Sequence, residues 1–442
     1  MSKGAKEKEI IEALCKRAKN VIPGGNSLLS KRREIFAPDQ WPAFFDSSKG
    51  IRVTDINGRT YRDFSHFSVG TNTLGYGNKH VDSAVSNCIS KGNMSTLNAP
   101  EEIYLAERLV KLHPWSSMAR FARSGGEANA IAVRIARAYT GKSKIAFCGY
   151  HGWHDWYLAA NLQDSKNLDK QLLTGLSTSG VPKELTSTAV PFNDGDLEAL
   201  EAVLTKGDVA AIKMEVMRST EPSLQYLQDV RELADKYKCL LIFDECTSGF
   251  RETFGGLHLK YGVSPDLTIL GKTLGNGYAI TAVLGTRSVM DSSQSSFISS
   301  TFFTERLGFV AALAVLDEME RLKSWQVISK IGVVFKDRLL ALAGNHGLNV
   351  DISGMDALVS YNFKYNNPSE TKTYITQEML KENFLAGNLF YPSVEHSEKD
   401  MDDFFTSLDK VLNKLSSIIS NEENLLKYIN GPVCHSTFQR LN

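Results

Sequence analysis

Two short apolar runs end in residues able to do chemistry: CLLIFD closes on Asp244, and LTILGK closes on Lys272. Glycines at 249, 255, 256, 271, 275 and 277 cluster around them and keep either strand from running on. Ser124-Gly125-Gly126-Glu127 stands immediately before ANAIAVRIARAYTG, where Ala128, Ile131, Ala132, Ile135 and Ala138 follow helical spacing and Gly141 provides the stop. Ser124 and Glu127 there predict a capping box. Two glycines in the first turn leave the backbone N–H groups open at the positive end of the helix dipole, a geometry suited to a phosphate. If the runs are parallel strands, a carboxylate, an amine and an anion-binding helix start converge on one crevice at the strands' carboxyl ends. Desolvating an ammonium at the end of a buried strand is costly; it lowers the proton affinity of the amine and leaves it nucleophilic.

Other chemistries fit these residues less well. Gly271-Lys272-Thr273 looks like the end of a nucleotide-binding P-loop, but Asp266 stands where that motif needs its first glycine. His151 and His154 form an H-x-x-H pair with no third ligand at a matching spacing. They sit among Tyr150, Trp153 and Trp156, so packing is expected and no metal is. Taken singly, S-x-x-E is a common helix cap and a lysine in a glycine-rich turn is commonly solvated. Their combination is what points to a site.

The elements that must position these groups belong to a chain of 442 residues, 42% hydrophobic and 10% aromatic, enough for two or three packed lobes. Fifty Lys and Arg balance 50 Asp and Glu, which speaks against a nucleic-acid or membrane-surface partner. The apolar run from Gly308 to Leu316 is too short to cross a bilayer. The first twenty residues lack the pattern of an export or transit peptide, and six cysteines without a CxxC pair fit a reducing compartment, so a cytoplasmic location is expected. Ile10, Ile11, Leu14, Ala18 and Val21 predict a short amphipathic helix ending at Pro23-Gly24-Gly25, and GIRVTDINGRTYRDF predicts a hairpin about Asn57-Gly58. From about residue 105 to 290, KIAFCG, VAAIKMEV, CLLIFDE, LTILGK and AVLGT alternate with longer amphipathic stretches. That is an α/β pattern: a mostly parallel sheet covered on both faces. Near the end, Met401, Phe404, Phe405, Leu408, Val411, Leu412 and Leu415 predict a long amphipathic helix in a smaller α+β domain. The expected division is 1–60 as part of the small lobe, 61–310 as the large domain and 311–442 as the C-terminal small domain.

Together these residues resemble the class III, fold-type-I pyridoxal-phosphate aminotransferases, and among them the glutamate-1-semialdehyde aminomutases. The resemblance runs through Ile22-Pro23-Gly24-Gly25, Asp55-x-x-Gly58, Ser124-Gly-Gly-Glu-Ala128, Tyr150-His151-Gly152, LIFDECTSGFR (241–251) and YGVSPDLTILGK (261–272). It implies pyridoxal 5'-phosphate as cofactor, with Lys272 forming the internal aldimine and later moving the Cα proton. It implies Asp244 on the pyridine nitrogen, Tyr150 stacked on the ring, and the N–H groups of Gly125 and Gly126, beside Ser124, on the phosphate. Thr301 matches a residue that reaches the phosphate of the neighbouring subunit's cofactor, so a homodimer is implied.

Departures bear on the substrate. Gly126 stands where a Thr is common, and Thr304-Glu305-Arg306 replaces a usual Gly-Asn-Pro. The aminomutase arginine that grips a substrate carboxylate has Ser30 as its nearest equivalent, followed by Lys31, Arg32 and Arg33. Val216 replaces a Pro after Glu215, the loop around Thr220 is shortened, and the stretch from Tyr391 to His396 is abbreviated. A carboxylate clamp is geometrically exacting, so the expectation is intermolecular amino transfer between an amino donor and a small aldehyde or ketone, through ketimine and pyridoxamine forms. The alternatives are a glutamate-1-semialdehyde 2,1-aminomutase and, with no catalysis, a nucleotide-binding or regulatory protein on the same scaffold.

Overall fold

Strands β1 (Phe45–Lys49), β2 (Arg52–Asp55) and β3 (Thr60–Phe64) form an antiparallel meander whose second turn is the hairpin predicted about Asn57-Gly58. Asp55 builds that turn, its Oδ1 accepting from the N–H groups of Asn57 and Arg59 at 2.9 Å each, and Gly58 takes the positive φ of 82° the turn requires. The structure, a computed structural model, describes residues 3–171, 173–217, 219–365 and 367–436; Met1, Ser2 and residues 437–442 of the expected end segments lie outside the described residues.

Seven further strands make the large sheet: β4 (Met118–Ala122), β5 (Lys144–Cys148), β6 (Ala189–Pro191), β7 (Val209–Met214), β8 (Leu240–Glu245), β9 (Leu267–Leu270) and β10 (Thr281–Gly285). Their order is β4-β10-β9-β8-β7-β5-β6. Pairing is parallel from β6 to β9, and β10 runs antiparallel to both neighbours. Every residue of β7, β8, β9 and β10 is buried, which is why these strands read as continuous apolar runs. The partly exposed β4 and the three-residue β6 lack such runs and escape sequence analysis.

The capped helix, Gly125–Thr140, lays Ala128, Ile131, Ala132 and Ile135 into a core with Ile145, Phe147, Ala211, Ile242 and Ile269. Gly141 ends it in the left-handed conformation at φ 67°. Ala138, expected on this face, is exposed at the rim of the stripe, and Val133 and Ala136 are buried instead.

The chain divides into two units, one of Met1–Val69, Gly75–Asn78 and Ile328–Asn442, the other of Gly70–Leu74 and Lys79–Val327. The divisions therefore fall after residues 69, 74, 78 and 327, where sequence places them after 60 and 310. The first moves because β3 pairs with β2 on one side and, in parallel, with β13 (Phe384–Ala386) on the other. The second moves because the helix Arg306–Leu322 packs on Lys79–Lys91 and Glu101–Leu112 of the larger unit.

In the smaller unit β11 (Val350–Ser353), β12 (Val359–Phe363) and β14 (Leu389–Phe390) form a second antiparallel sheet. The helix Glu398–Ser420 starts at a Ser397–Asp400 capping box and buries all seven of its predicted apolar positions. Phe404 stacks on Phe64 at 4.3 Å between ring centroids. No helix among the described residues is long and apolar enough to cross a membrane.

Candidate active site

The buried strand β8 delivers Asp244 with its side chain 4% exposed. Oδ2 accepts from His151 Nδ1 at 2.8 Å and lies 3.9 Å from Lys213 Nζ, and Oδ1 accepts from the Cys246 N–H at 3.1 Å. Burial alone raises this carboxyl, but the Lys213 charge and the His151 hydrogen bond outweigh it and hold Asp244 well below the usual carboxylate range. His151 is pushed down by burial and by Lys213, against the pull of Asp244, and its Nε2 faces the Cys148 carbonyl at 3.1 Å, so both ring nitrogens meet acceptors. Expected only to pack, His151 is a polar partner of the carboxylate as well as an aromatic neighbour of Trp156, with ring centroids 6.1 Å apart.

Lys272 departs from expectation in detail. It lies beyond the end of β9, half-buried, opening the 3-10 turn Lys272–Gly275 with a left-handed φ of 41°. A lysine held in that region of backbone space marks a place where surrounding structure imposes a conformation. Its Nζ donates to Thr247 Oγ1 at 2.8 Å.

Cys246 ties the three elements together. Besides its N–H on Asp244, its Sγ lies 3.2 Å from where a Cβ on Gly125 would stand and 3.1 Å from the same point on Gly271. The helix start, the carboxylate strand and the residue before Lys272 therefore meet at one side chain. Burial and the Asp244 charge push the Cys246 thiol well up, so it is a protonated packing group.

The helix start carries both halves of the capping box: Ser124 Oγ accepts from the Glu127 N–H at 3.4 Å, and the Glu127 carboxylate accepts from the Ser124 N–H at 2.8 Å. The N–H groups of Gly125 and Gly126 belong to the first turn, which has no intrahelical acceptor for them. A Cβ on Gly126 would stand 2.7 Å from His154 Cε1, which is the physical reason glycine fits at this position. Gly126→Ala should weaken cofactor binding about tenfold by moving that turn, and His154→Ala in the same chain should restore it. Equal dissociation constants for wild type and G126A would show that the crowding has no effect.

Tyr150 is held from behind: its N–H donates to Glu215 Oε2 at 3.1 Å and its ring meets Tyr157 edge-on at 5.8 Å. Gly149 lets this approach happen, since a Cβ there would stand 2.6 Å from Glu215 Oε2. Thr301 is exposed on a separate turn, Thr301–Thr304. Arg123, next to Ser124, anchors that turn by donating to the carbonyls of Phe302 at 2.6 Å, Phe303 at 3.0 Å and Glu305 at 2.6 Å. Sequence reasoning passes over Arg123, Lys213, Glu215 and Cys246 as site residues. Lys213 alone had a legible signal, a charge inside the apolar run VAAIKMEV.

Residues 35–405 match the family model for aminotransferase class-III. The chain belongs to the class III aminotransferases. This aminotransferase is 34% identical over 394 residues to a 3-aminobutyryl-CoA aminotransferase of Cloacimonas acidaminovorans (strain Evry), covering 87% of this chain and 90% of the relative. It is 32% identical over 419 residues to a glutamate-1-semialdehyde 2,1-aminomutase of Desulforamulus reducens, covering 88% and 94%. The FumI protein of Sphingopyxis sp. MTA144, solved in a pyridoxal phosphate form, superposes with a TM-score of 0.83 at 22% identity, covering 93% of this chain and 97% of that one. The aminotransferase is thus a fold-type-I enzyme that uses pyridoxal 5'-phosphate to move an amino group between an amino donor and a carbonyl acceptor.

The residues present fit that cofactor. An open helix start suits a phosphate, a buried ionised carboxylate suits a protonated ring nitrogen, and an amine stands on a fixed turn. Lys213 Nζ is buried with no hydrogen-bond partner among the described residues, a polar group close to where the ring nitrogen would pair with Asp244.

Proposed function

We propose that this aminotransferase works through Lys272 and Asp244, between two molecules rather than within one. The observation that carries the site assignment is the meeting of Gly125, Asp244 and Gly271-Lys272 at Cys246. Pyridoxal phosphate, when bound, supplies an aldehyde that exchanges amino groups and a ring that takes up the electron pair left by the Cα proton. Lys272 would hold that aldehyde, and its amine would serve as the general base that carries the Cα proton. Thr247 Oγ1 holds the amine within reach. Asp244 keeps a proton on the ring nitrogen, Gly125 and Gly126 bind the phosphate through their N–H groups with Ser124 fixing the helix end, and Tyr150 covers the ring. Asp244 sits on a buried strand and the Gly125–Gly126 N–H groups on a capped helix, so little reorganisation is needed there when charge develops.

The surroundings of Ser30 support intermolecular transfer. His66 Nε2 meets the Ser30 carbonyl at 3.0 Å, and Arg33 donates to Glu12 at 2.8 and 3.1 Å and lies 3.4 Å from Asp39. Arg32 lies against Gly24, where an added Cβ would stand 2.2 Å from its Nη2. Both arginines are engaged within their own segment, and a carboxylate clamp at this point is lacking. The favoured acceptor is an aldehyde or ketone remote from a carboxylate. The aminomutase reading is favoured by the glutamate-1-semialdehyde 2,1-aminomutases among the relatives, one of them 32% identical over 419 residues.

A homodimer fits the same reading. Leu97, Phe297 and Phe302, at 81%, 84% and 62% exposure, surround the Thr301 turn with apolar surface of the kind a subunit interface covers. Thr301 would then reach the partner subunit's cofactor phosphate.

The test is a donor screen followed by glutamate 1-semialdehyde supplied alone. An amino donor should shift the visible absorbance of the bound cofactor, and an added carbonyl acceptor should reverse the shift. Catalytic formation of 5-aminolevulinate without any donor would overturn the intermolecular reading.

A further inference from the structure

Lys213 stands one residue before the carboxyl end of β7, in register with Phe147 of β5 and Ile242 of β8, and its side chain is 0% exposed. An ammonium is expelled from such surroundings unless something inside needs its charge. No hydrogen-bond partner for Nζ is found among the described residues, so packing and hydrogen bonding do not account for it. What it faces does. Asp244 Oδ2 lies 3.9 Å away, and Glu215 and Cys246 are the other titratable groups acting on it. Around Asp244 the remaining partners are His151, whose other ring nitrogen faces the Cys148 carbonyl, and the N–H of Cys246; Lys272 acts on Cys246 from beyond β9. Lys213, pushed down by burial and held up by Asp244, is the lysine that faces the buried carboxylate.

We propose that Lys213 is a positioning residue for amino transfer: it holds the charge of Asp244 and, by competing for it, lowers the proton affinity of the cofactor ring nitrogen. The proposal rests on the assignment of Asp244 to that nitrogen. Two cations then share one carboxylate, so the ring proton is held less tightly than beside an Asp that answers to it alone. Such tuning would set how strongly the ring, when bound, draws the electron pair left by the Cα proton, in both halves of the transfer.

The experiment is a pH titration of the ring nitrogen in the holoenzyme, followed by nitrogen NMR of isotope-labelled cofactor, with Lys213→Met, Lys213→Gln and Lys213→Arg beside wild type, and the cofactor dissociation constant measured in parallel. Losing a neighbouring cation makes protonation easier, so the midpoint should rise by about one unit in K213M and K213Q, a tenfold change in proton affinity. K213R, which keeps the charge, should titrate near wild type. A purely structural lysine would leave the midpoint unmoved while altering thermal stability. Neutral variants that titrate with wild type would therefore overturn the proposal, and so would failure of both neutral variants to fold. A wild-type protein that shows no visible band and no borohydride-fixed adduct on Lys272 would instead defeat the assignment of the site itself.

Discussion

Lys272→Ala lowers the rate of amino transfer by roughly 10³–10⁴-fold or more, because one amine is both the covalent anchor and the proton carrier. Lys272 is half-buried on a short turn where its Nζ donates to Thr247 Oγ1, so the variant should unfold within about 0.5 kcal/mol of wild type. The first-turn N–H groups remain, and K272A should still take up cofactor, now reversibly. Borohydride reduction followed by peptide mass analysis gives the complementary reading: an adduct on the Lys272 peptide of wild type and none in the variant. A K272A enzyme retaining more than about a tenth of wild-type kcat would remove Lys272 from the mechanism, since no general base of this kind is dispensable at that level.

Asp244→Asn acts on both catalysis and stability. Asparagine matches the carboxylate in shape and can still accept from His151, but it carries no charge for the ring nitrogen or for Lys213. The rate should fall about 10²–10³-fold, the size of effect seen when one preorganised electrostatic partner is removed. Stripping the counter-charge from buried Lys213 should also destabilise the cofactor-free protein by about 3 kcal/mol, roughly 3 °C in Tm for a chain of this length. The pH dependence has a definite sign. Asp244 is held below its unfolded value, so its contribution is fully present above about pH 4 and fades as the pH drops toward the folded value. Thermal unfolding of the two proteins should differ at neutral pH and converge in acid. A variant as stable as wild type at pH 7 would mean that Asp244 is not the partner of Lys213.

Legibility in the sequence follows burial and locality. The helix Glu398–Ser420 was readable because one face repeats at helical spacing and its capping box lies within four residues. Strands β7 to β10 were readable because both of their faces are covered, which leaves unbroken apolar runs. The partly exposed β4 and the short β6 carried no such pattern. Asp244 and Lys272 were visible as polar residues ending apolar runs. Arg123 was not, since its partners at 302, 303 and 305 lie far along the chain and are backbone carbonyls that no side-chain pattern records.

The order of residues by itself determined the capped helix start, the strand ends and the family likeness, because each rests on neighbours in sequence or on a period within one element. Tertiary structure alone decided that His151 and Lys213 flank Asp244, that His154 makes Gly126 obligatory, and that Arg33 is engaged with Glu12 and Asp39. Those outcomes depend on groups from different strands and loops arriving within a few ångströms of one another. Charge and crowding act through space at that range, and spacing along the chain does not encode them.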